Sequence, residues 1–287
     1  MKLMILLAFF LSAESWAKWS VSTYNIRNFD KEPGGSANHT ELANIIKSVK
    51  SDVMAFEEVV NVPAFKKLIK TTLPGYAVRI STCGGFGKQN LAVAYNPSVF
   101  TFVSEAEDLS FSGSEGNSCG SLRPVFFVTL THTESDEDFI FGVVHLKAGG
   151  ESDAMAKRWA QYTKLAAVAA LNHEYNLILL GDFNTTGYNL QDQDFDKFET
   201  FMKKAGLQTM SKDIGCSSYW HGGQGDLEYQ ASLLDHIVLQ SDLVASVQAI
   251  KLGGHCAEQE CQPATPEELG RGFEKVSDHC PVQVTFE

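Results

Sequence analysis

The chain has no excess of positive charge. Its 287 residues carry 23 Lys and Arg against 35 Asp and Glu, a formal net charge of -12. The long-range positive potential that steers proteins onto nucleic-acid phosphates is therefore missing. No internal repeat, low-complexity tract or linker divides the sequence, and beyond the N-terminus no apolar run approaches the roughly 20 residues of a spanning helix. There is no C-x-x-C pair, which disfavours a zinc site. What is present is ordinary globular material, 44% hydrophobic and 20% charged residues, which excludes a disordered chain, a collagen-like repeat and a coiled coil.

Residues 1–17 read as a signal peptide. Lys2 gives a positive start, Leu3 to Leu11 an apolar run, and Ser15-Trp16-Ala17 the small residues of a cleavage site. Ser12, Glu14 and Ser15 cut the run too short for a membrane anchor. Residues 18–287 are then one exported domain, secreted or periplasmic. Its six cysteines, Cys83, Cys119, Cys216, Cys256, Cys261 and Cys280, suit three disulfides in that compartment, with the pairing open.

Short apolar runs alternate with amphipathic segments. Strands are expected over 19–25, 53–56, 76–81, 91–95, 100–103, 125–131, 139–145, 177–180, 233–239, 244–250 and 282–286. Leu42, Ile45, Ile46 and Val49 fall at helical spacing, and 153–173 is the longest helix, with Trp159, Tyr162, Leu165, Ala166 and Ala169 on one stripe. Two loops stand out, 111–121 and 253–272, both carrying cysteine. This mixture implies helices covering sheets, an α/β (α+β) layered domain.

The chemistry gathers where the runs end. Gly181-Asp182-Phe183-Asn184 follows an apolar run, placing a carboxylate and an amide at a strand end, both suited to a hard cation or a phosphate. Asp235 opens another apolar run, and Ser277-Asp278-His279 precedes the last. Carboxylates entering such runs are costly unless paired or coordinating. An Asp can orient an imidazole and stabilise its protonated form, which makes a base able to take a proton from water. His145 ends a further strand, Asn25 the first, and Glu57-Glu58 the second. The acidic stretch 191–199 fits no Ca²⁺ loop and reads as a solvated helix face. His39, His132, His173, His221 and His255 join no motif.

In order, Tyr24-Asn25-Ile26-Arg27, Asp52 to Val59, Val144-His145-Leu146, Gly181 to Asn184, Leu234 to Ile237 and Ser277-Asp278-His279 resemble the endonuclease/exonuclease/phosphatase superfamily, of which deoxyribonuclease I is a member. The resemblance implies a four-layer sandwich, two central mixed or antiparallel sheets flanked by helices, with one site at one end. It also implies metal-dependent phosphodiester hydrolysis with Mg²⁺ or Mn²⁺, Ca²⁺ being a further candidate. Carried over, Glu58, Asp278 and Asn25 resemble the metal residues. Asp182 and Asn184 resemble the pair at the attacked phosphate, Asp182 polarising the water. His279 is similar to the general base, Asp235 to the carboxylate orienting it, and His145 to the second histidine. Arg123, with Asn184 and Asn25, resembles the substrate contacts. Gln89 stands where the deoxyribonuclease I branch has the glutamate partner of the second histidine, and Val60 replaces an arginine. The implied protein is a monomeric, exported endonuclease acting on DNA or RNA, with DNA first and no membrane anchor. Arg79, Lys88, Lys147 and Arg158 flank the motifs and favour that substrate. A sphingomyelinase-like phospholipase C is the alternative, Tyr219-Trp220 being the aromatic pair that could enter a membrane. A non-catalytic binding or toxin-like module is disfavoured because every metal and base position is competent.

Overall fold

The computed structural model describes residues 18–31, 38–113, 118–221, 223 and 226–287; the expected signal peptide lies outside them. The elements are β1 (Trp19–Phe29), α1 (His39–Ser48), β2 (Val53–Val59), α2 (Val62–Thr72), β3 (Ala77–Ile80), β4 (Asn90–Tyr95), β5 (Phe100–Asp108), β6 (Val125–His132) and β7 (Glu137–His145). They continue with α3 (Ser152–Leu171), β8 (Asn176–Asp182), α4 (Gln193–Ala205), β9 (Leu207–Thr209), β10 (Ser218–His221), β11 (Tyr229–Ser232), β12 (Asp235–Gln240), β13 (Val247–Leu252), α5 (Gly254–Glu258), α6 (Pro266–Lys275) and β14 (Val282–Phe286).

Two six-stranded sheets form, β13-β14-β1-β2-β4-β3 and β5-β6-β7-β8-β12-β9, and β10-β11 is a separate hairpin. Parallel pairing of β1 with β2 and of β7 with β8 makes both sheets mixed. Strand alternation explains the layers. Val53 and Ala55 of β2 and Ile178 and Leu180 of β8 meet in the core between the sheets. Met54 and Phe56 face α1 and α2, while Leu177 and Leu179 face α3 and α4. Burial on both faces is why these strands read as unbroken apolar runs. The result is the four-layer sandwich that the resemblance implies.

Some local expectations need correction. Between the strands at 53–56 and 76–81, where no element is expected, Asn61 caps α2 and Phe65, Leu68 and Ile69 pack it down. The 253–272 segment is not a loop: it holds α5 and the start of α6, whose Thr265 and Glu268 form a capping box. Residues 244–250 are strand only from Val247, after a 3₁₀ turn at Leu243–Ser246. All six cysteines are bridged, Cys83–Cys119, Cys216–Cys261 and Cys256–Cys280.

Candidate active site

Strand register assembles the site. His145 at the end of β7 lies opposite Asp182 at the end of β8, and Asp182 lies opposite Asp235 at the start of antiparallel β12. The first sheet contributes Asn25 of β1, opposite Glu57 of β2. At that point the β1–β2 and β2–β4 registers shift. Glu58 takes a left-handed φ of 65°, and this irregularity separates the two glutamates. Glu57 stays buried against Thr23, whereas Glu58 accepts from Asn28 N at 2.6 Å. Arg27, Asn28 and Asn184 also have positive φ. Only glycine fits at 181, since a Cβ there would stand 2.0 Å from Val144 O.

The two sheets are joined through polar groups. Asn25 Nδ2 donates to Asp182 Oδ2 at 3.0 Å and lies 3.4 Å from Glu58 Oε1. His145 Nε2 lies 3.5 Å from the same Asp182 oxygen and 3.7 Å from Glu58. His279 Nε2 approaches that oxygen at 3.9 Å, and its Nδ1 lies 2.8 Å from Asp235 Oδ2. Asn184 closes the floor: its backbone N–H donates to Asp182 Oδ1, and its side chain donates to Leu146 O.

Burial sets the electrostatics. It pushes the Asp182 carboxyl up to about 7, with Asp235 adding to the rise and His279 opposing it. It drives Glu57 well above the ordinary glutamate value, helped by Asp235. Burial works against charge on His279, yet the Asp235 charge and hydrogen bond, with Asp182, carry it well above the ordinary histidine value. His145 goes the other way, held well below that value by burial and by Arg123 and His279. The two imidazoles thus differ in proton affinity, His279 being the stronger base, a separation expected where two histidines have different tasks.

Asp278 stands apart. Its carboxylate is 39% exposed and faces Arg27 at 4.0 Å, and among the described residues it is not gathered with Glu58 into one ligand cluster. Asn25 turns its amide nitrogen to the carboxylates and its oxygen to Arg27 N, so as it stands it bridges carboxylates and does not offer an oxygen to a cation. Arg123 spends its Nε and one terminal nitrogen on the carbonyls of His145 and Leu146, bracing the end of β7. Gln89 donates to Asn28 Oδ1 at 3.1 Å, and His145 Nδ1 is buried without a partner. Arg158 does not flank an open groove: it is completely buried, pairs with Asp194 at 2.8 Å and donates to the carbonyls of Lys147 and Gly149. Asp194 is likewise buried, so α4 is not solvated along its whole acidic face.

Sequence reasoning missed Ser217 and, although Ser277 lies in a motif, the role of that hydroxyl. Ser217 Oγ donates to Asp235 Oδ2 at 2.7 Å while accepting from Asp235 N. Ser277 Oγ donates to Asn25 O and accepts from His279 N. Glu58 and Asp182, both in contact with Asn25 Nδ2, offer carboxylate oxygens of the kind a hard divalent cation takes, with His145 Nε2 between them and Asp278 not gathered beside them. The Asp182–Asp235–His279 cluster is better read as proton-handling machinery, because Asp235 Oδ2 is already committed to Ser217 and His279.

Two helix-covered sheets with carboxylates, amides and two imidazoles at their common end define a hydrolase of phosphate esters. A profile of the Endonuclease/Exonuclease/phosphatase family matches residues 22–279. The chain belongs to that family, whose members are metal-dependent phosphodiesterases and phosphatases. No curated protein matches it in sequence. In structure it is similar to D. rerio TDP2 complexed with single strand DNA product, at TM-score 0.65 and 15% identity over 94% of this chain and 99% of that one. It is also similar to the human Nocturnin catalytic domain, at 0.62 and 17% over 94% of each. The Bacteroides thetaiotaomicron mannosyl-6-phosphatase Bt3783 aligns at 0.61 and 20% over 93% and 98%.

Proposed function

We propose that this enzyme is an exported, divalent-cation-dependent nuclease that hydrolyses phosphodiester bonds of DNA, with RNA as the second substrate. The observation that carries the reading is the His279–Asp235 pair at 2.8 Å beside Asp182. Glu58 and Asp278, with Asn25 beside them, would hold Mg²⁺ or Mn²⁺. When bound, such an ion supplies charge neutralisation at the phosphoryl oxygens. His279, oriented by Asp235, takes a proton from a water held against Asp182. The water oxygen attacks phosphorus in line, and the bond from phosphorus to the leaving oxygen breaks. His145 is neutral and donates a hydrogen bond, not a whole proton, so the leaving oxygen takes its proton from water. Arg123 and Asn184 hold the end of β7 and the loop after β8 in register with the phosphate.

Three disulfides and the leader-like segment 1–17 support export. No helix among the described residues is long and apolar enough to cross a membrane. The complex of the D. rerio TDP2 neighbour with a single strand DNA product supports a nucleic-acid substrate. The phospholipase reading keeps one observation in its favour, the hairpin β10–β11 with Trp220 51% exposed. One experiment separates them: incubate the oxidised protein with plasmid DNA, RNA and sphingomyelin, with Mg²⁺ or EDTA. Mg²⁺-dependent nicking supports the nuclease; choline phosphate release with intact DNA and RNA overturns it.

A further inference from the structure

Three basic side chains near the site are already engaged, Lys88 is exposed beside Phe86, and two aromatic rings stand in solvent. Arg158 is locked to Asp194, Arg79 lies over the Phe102 ring and faces Glu105, and Arg123 is spent on carbonyls. Phe86 is 87% exposed and Trp220 51%.

Phe86 sits on a built turn. The Cys83–Cys119 bridge anchors it, Gln89 N donates to Gly84 O, and Phe86 N donates to Ser121 O. A Cβ at Gly84 would lie 2.6 Å from Lys88 C, so the turn is close-packed. It is also coupled to the site, because Gln89 donates to Asn28 Oδ1 and Asn28 N donates to Glu58. Trp220 belongs to the other side. Ser218 pairs with His279, and Tyr219 N donates to Asp278 O at 2.9 Å. Tyr219 is buried, so alternation puts Ser218 and Trp220 on the opposite face of β10, and Cys216–Cys261 staples the hairpin's base.

The turn that carries Phe86 is thus tied to the Glu58 side of the site, and the strand that carries Trp220 to the His279 side. Burying such rings is favourable, yet two covalently anchored segments hold them in water. Duplex binding rests mainly on neutralising many phosphates, for which a chain of net charge -12 is ill suited. Stacking needs no charge, only bases freed from pairing.

We propose that Phe86 and Trp220 are stacking platforms for bases on either side of the scissile phosphate, making single-stranded nucleic acid the preferred substrate. This rests on the nuclease reading above. The test measures kcat/KM on a single-stranded 20-mer DNA, on the same strand in duplex, and on bis(p-nitrophenyl) phosphate, which has no base. Wild type is expected to prefer the single strand over the duplex by at least about tenfold. In Phe86→Ala and Trp220→Ala, the ratio of single-strand to small-diester kcat/KM should fall by about 5- to 100-fold, through KM. Phe86→Tyr and Trp220→Phe should restore it. A duplex preference, or unchanged ratios in both alanine variants, overturns the proposal while leaving the nuclease reading intact. Hydrolysis of the small diester with no cleavage of any nucleic acid overturns the nuclease reading itself. Loss of binding to sphingomyelin/phosphatidylcholine vesicles with single-strand cleavage unchanged would assign the rings to a membrane and overturn stacking.

Discussion

His279 and Asp235 meet at 2.8 Å although they come from different sheets, Asp235 opening β12 and His279 preceding β14. The proposed base and its orienting carboxylate are therefore correctly placed only when the two sheets are packed. Asp235→Asn keeps the shape and removes the charge that holds His279 protonatable. The variant should fold, with a melting temperature near wild type, and lose about 10²- to 10⁴-fold in kcat. A loss below tenfold would mean that the pair does not serve catalysis.

The two histidines should not be equivalent. His279→Ala removes the base and should cost about 10²- to 10⁴-fold in turnover. On the proposed mechanism His145 is a neutral donor, so His145→Gln, which keeps a donor, should stay within about tenfold of wild type, while His145→Ala loses about 10²- to 10³-fold. Equal losses in His145→Gln and His145→Ala would instead assign His145 a full proton transfer.

The strand-end residues were legible because apolar runs stop abruptly at His145 and Asp182, and because Asn25 ends a strand and opens the Asn25-Ile26-Arg27 motif. The roles of the Ser217 and Ser277 hydroxyls were not, since a serine's value depends on which carboxylate or carbonyl the fold brings to it. Arg158 was misread for a related reason. In sequence it reads as one of the basic residues flanking the motifs, but its partner Asp194 lies 36 residues on, and only α3–α4 packing joins them. The end of the 253–272 segment, by contrast, could have been recognised, because Thr265-Pro266-Glu267-Glu268 carries both the capping-box spacing and Pro at the first helical position.

That buried Arg158–Asp194 pair yields a stability prediction. Arg158→Met leaves Asp194 uncompensated in a site with no exposure and should destabilise the fold by about 3 to 5 kcal/mol in urea titrations. Arg158→Met combined with Asp194→Leu removes both charges and should recover most of that loss. If the double variant is as unstable as the single, the cost lies in the Lys147 and Gly149 carbonyl bonds and not in the stranded carboxylate.

His236 supplies the pH test. It is completely buried between the Thr185 and Thr209 hydroxyls, at 2.8 and 3.0 Å, and burial lowers its pKa from 6.5 to about 3. Between those values the unfolded chain binds a proton that the folded chain refuses. The contribution of His236 to stability is therefore present above pH 6.5 and lost as pH falls toward 3, at about 1.4 kcal/mol per unit. His255, lowered to about 4 mainly by burial, adds in the same direction. Asp182, raised to about 7, opposes both, because its protonated form is favoured in the fold and its contribution fades as pH rises. Comparing wild type with His236→Gln cancels the other groups. The variant should be the less stable at pH 7, and the gap should narrow by about 1.4 kcal/mol for each unit below 6.5. Urea unfolding of both proteins at pH 7, 6, 5 and 4 measures it, and a gap that stays constant across that range would show that His236 is not held neutral by burial.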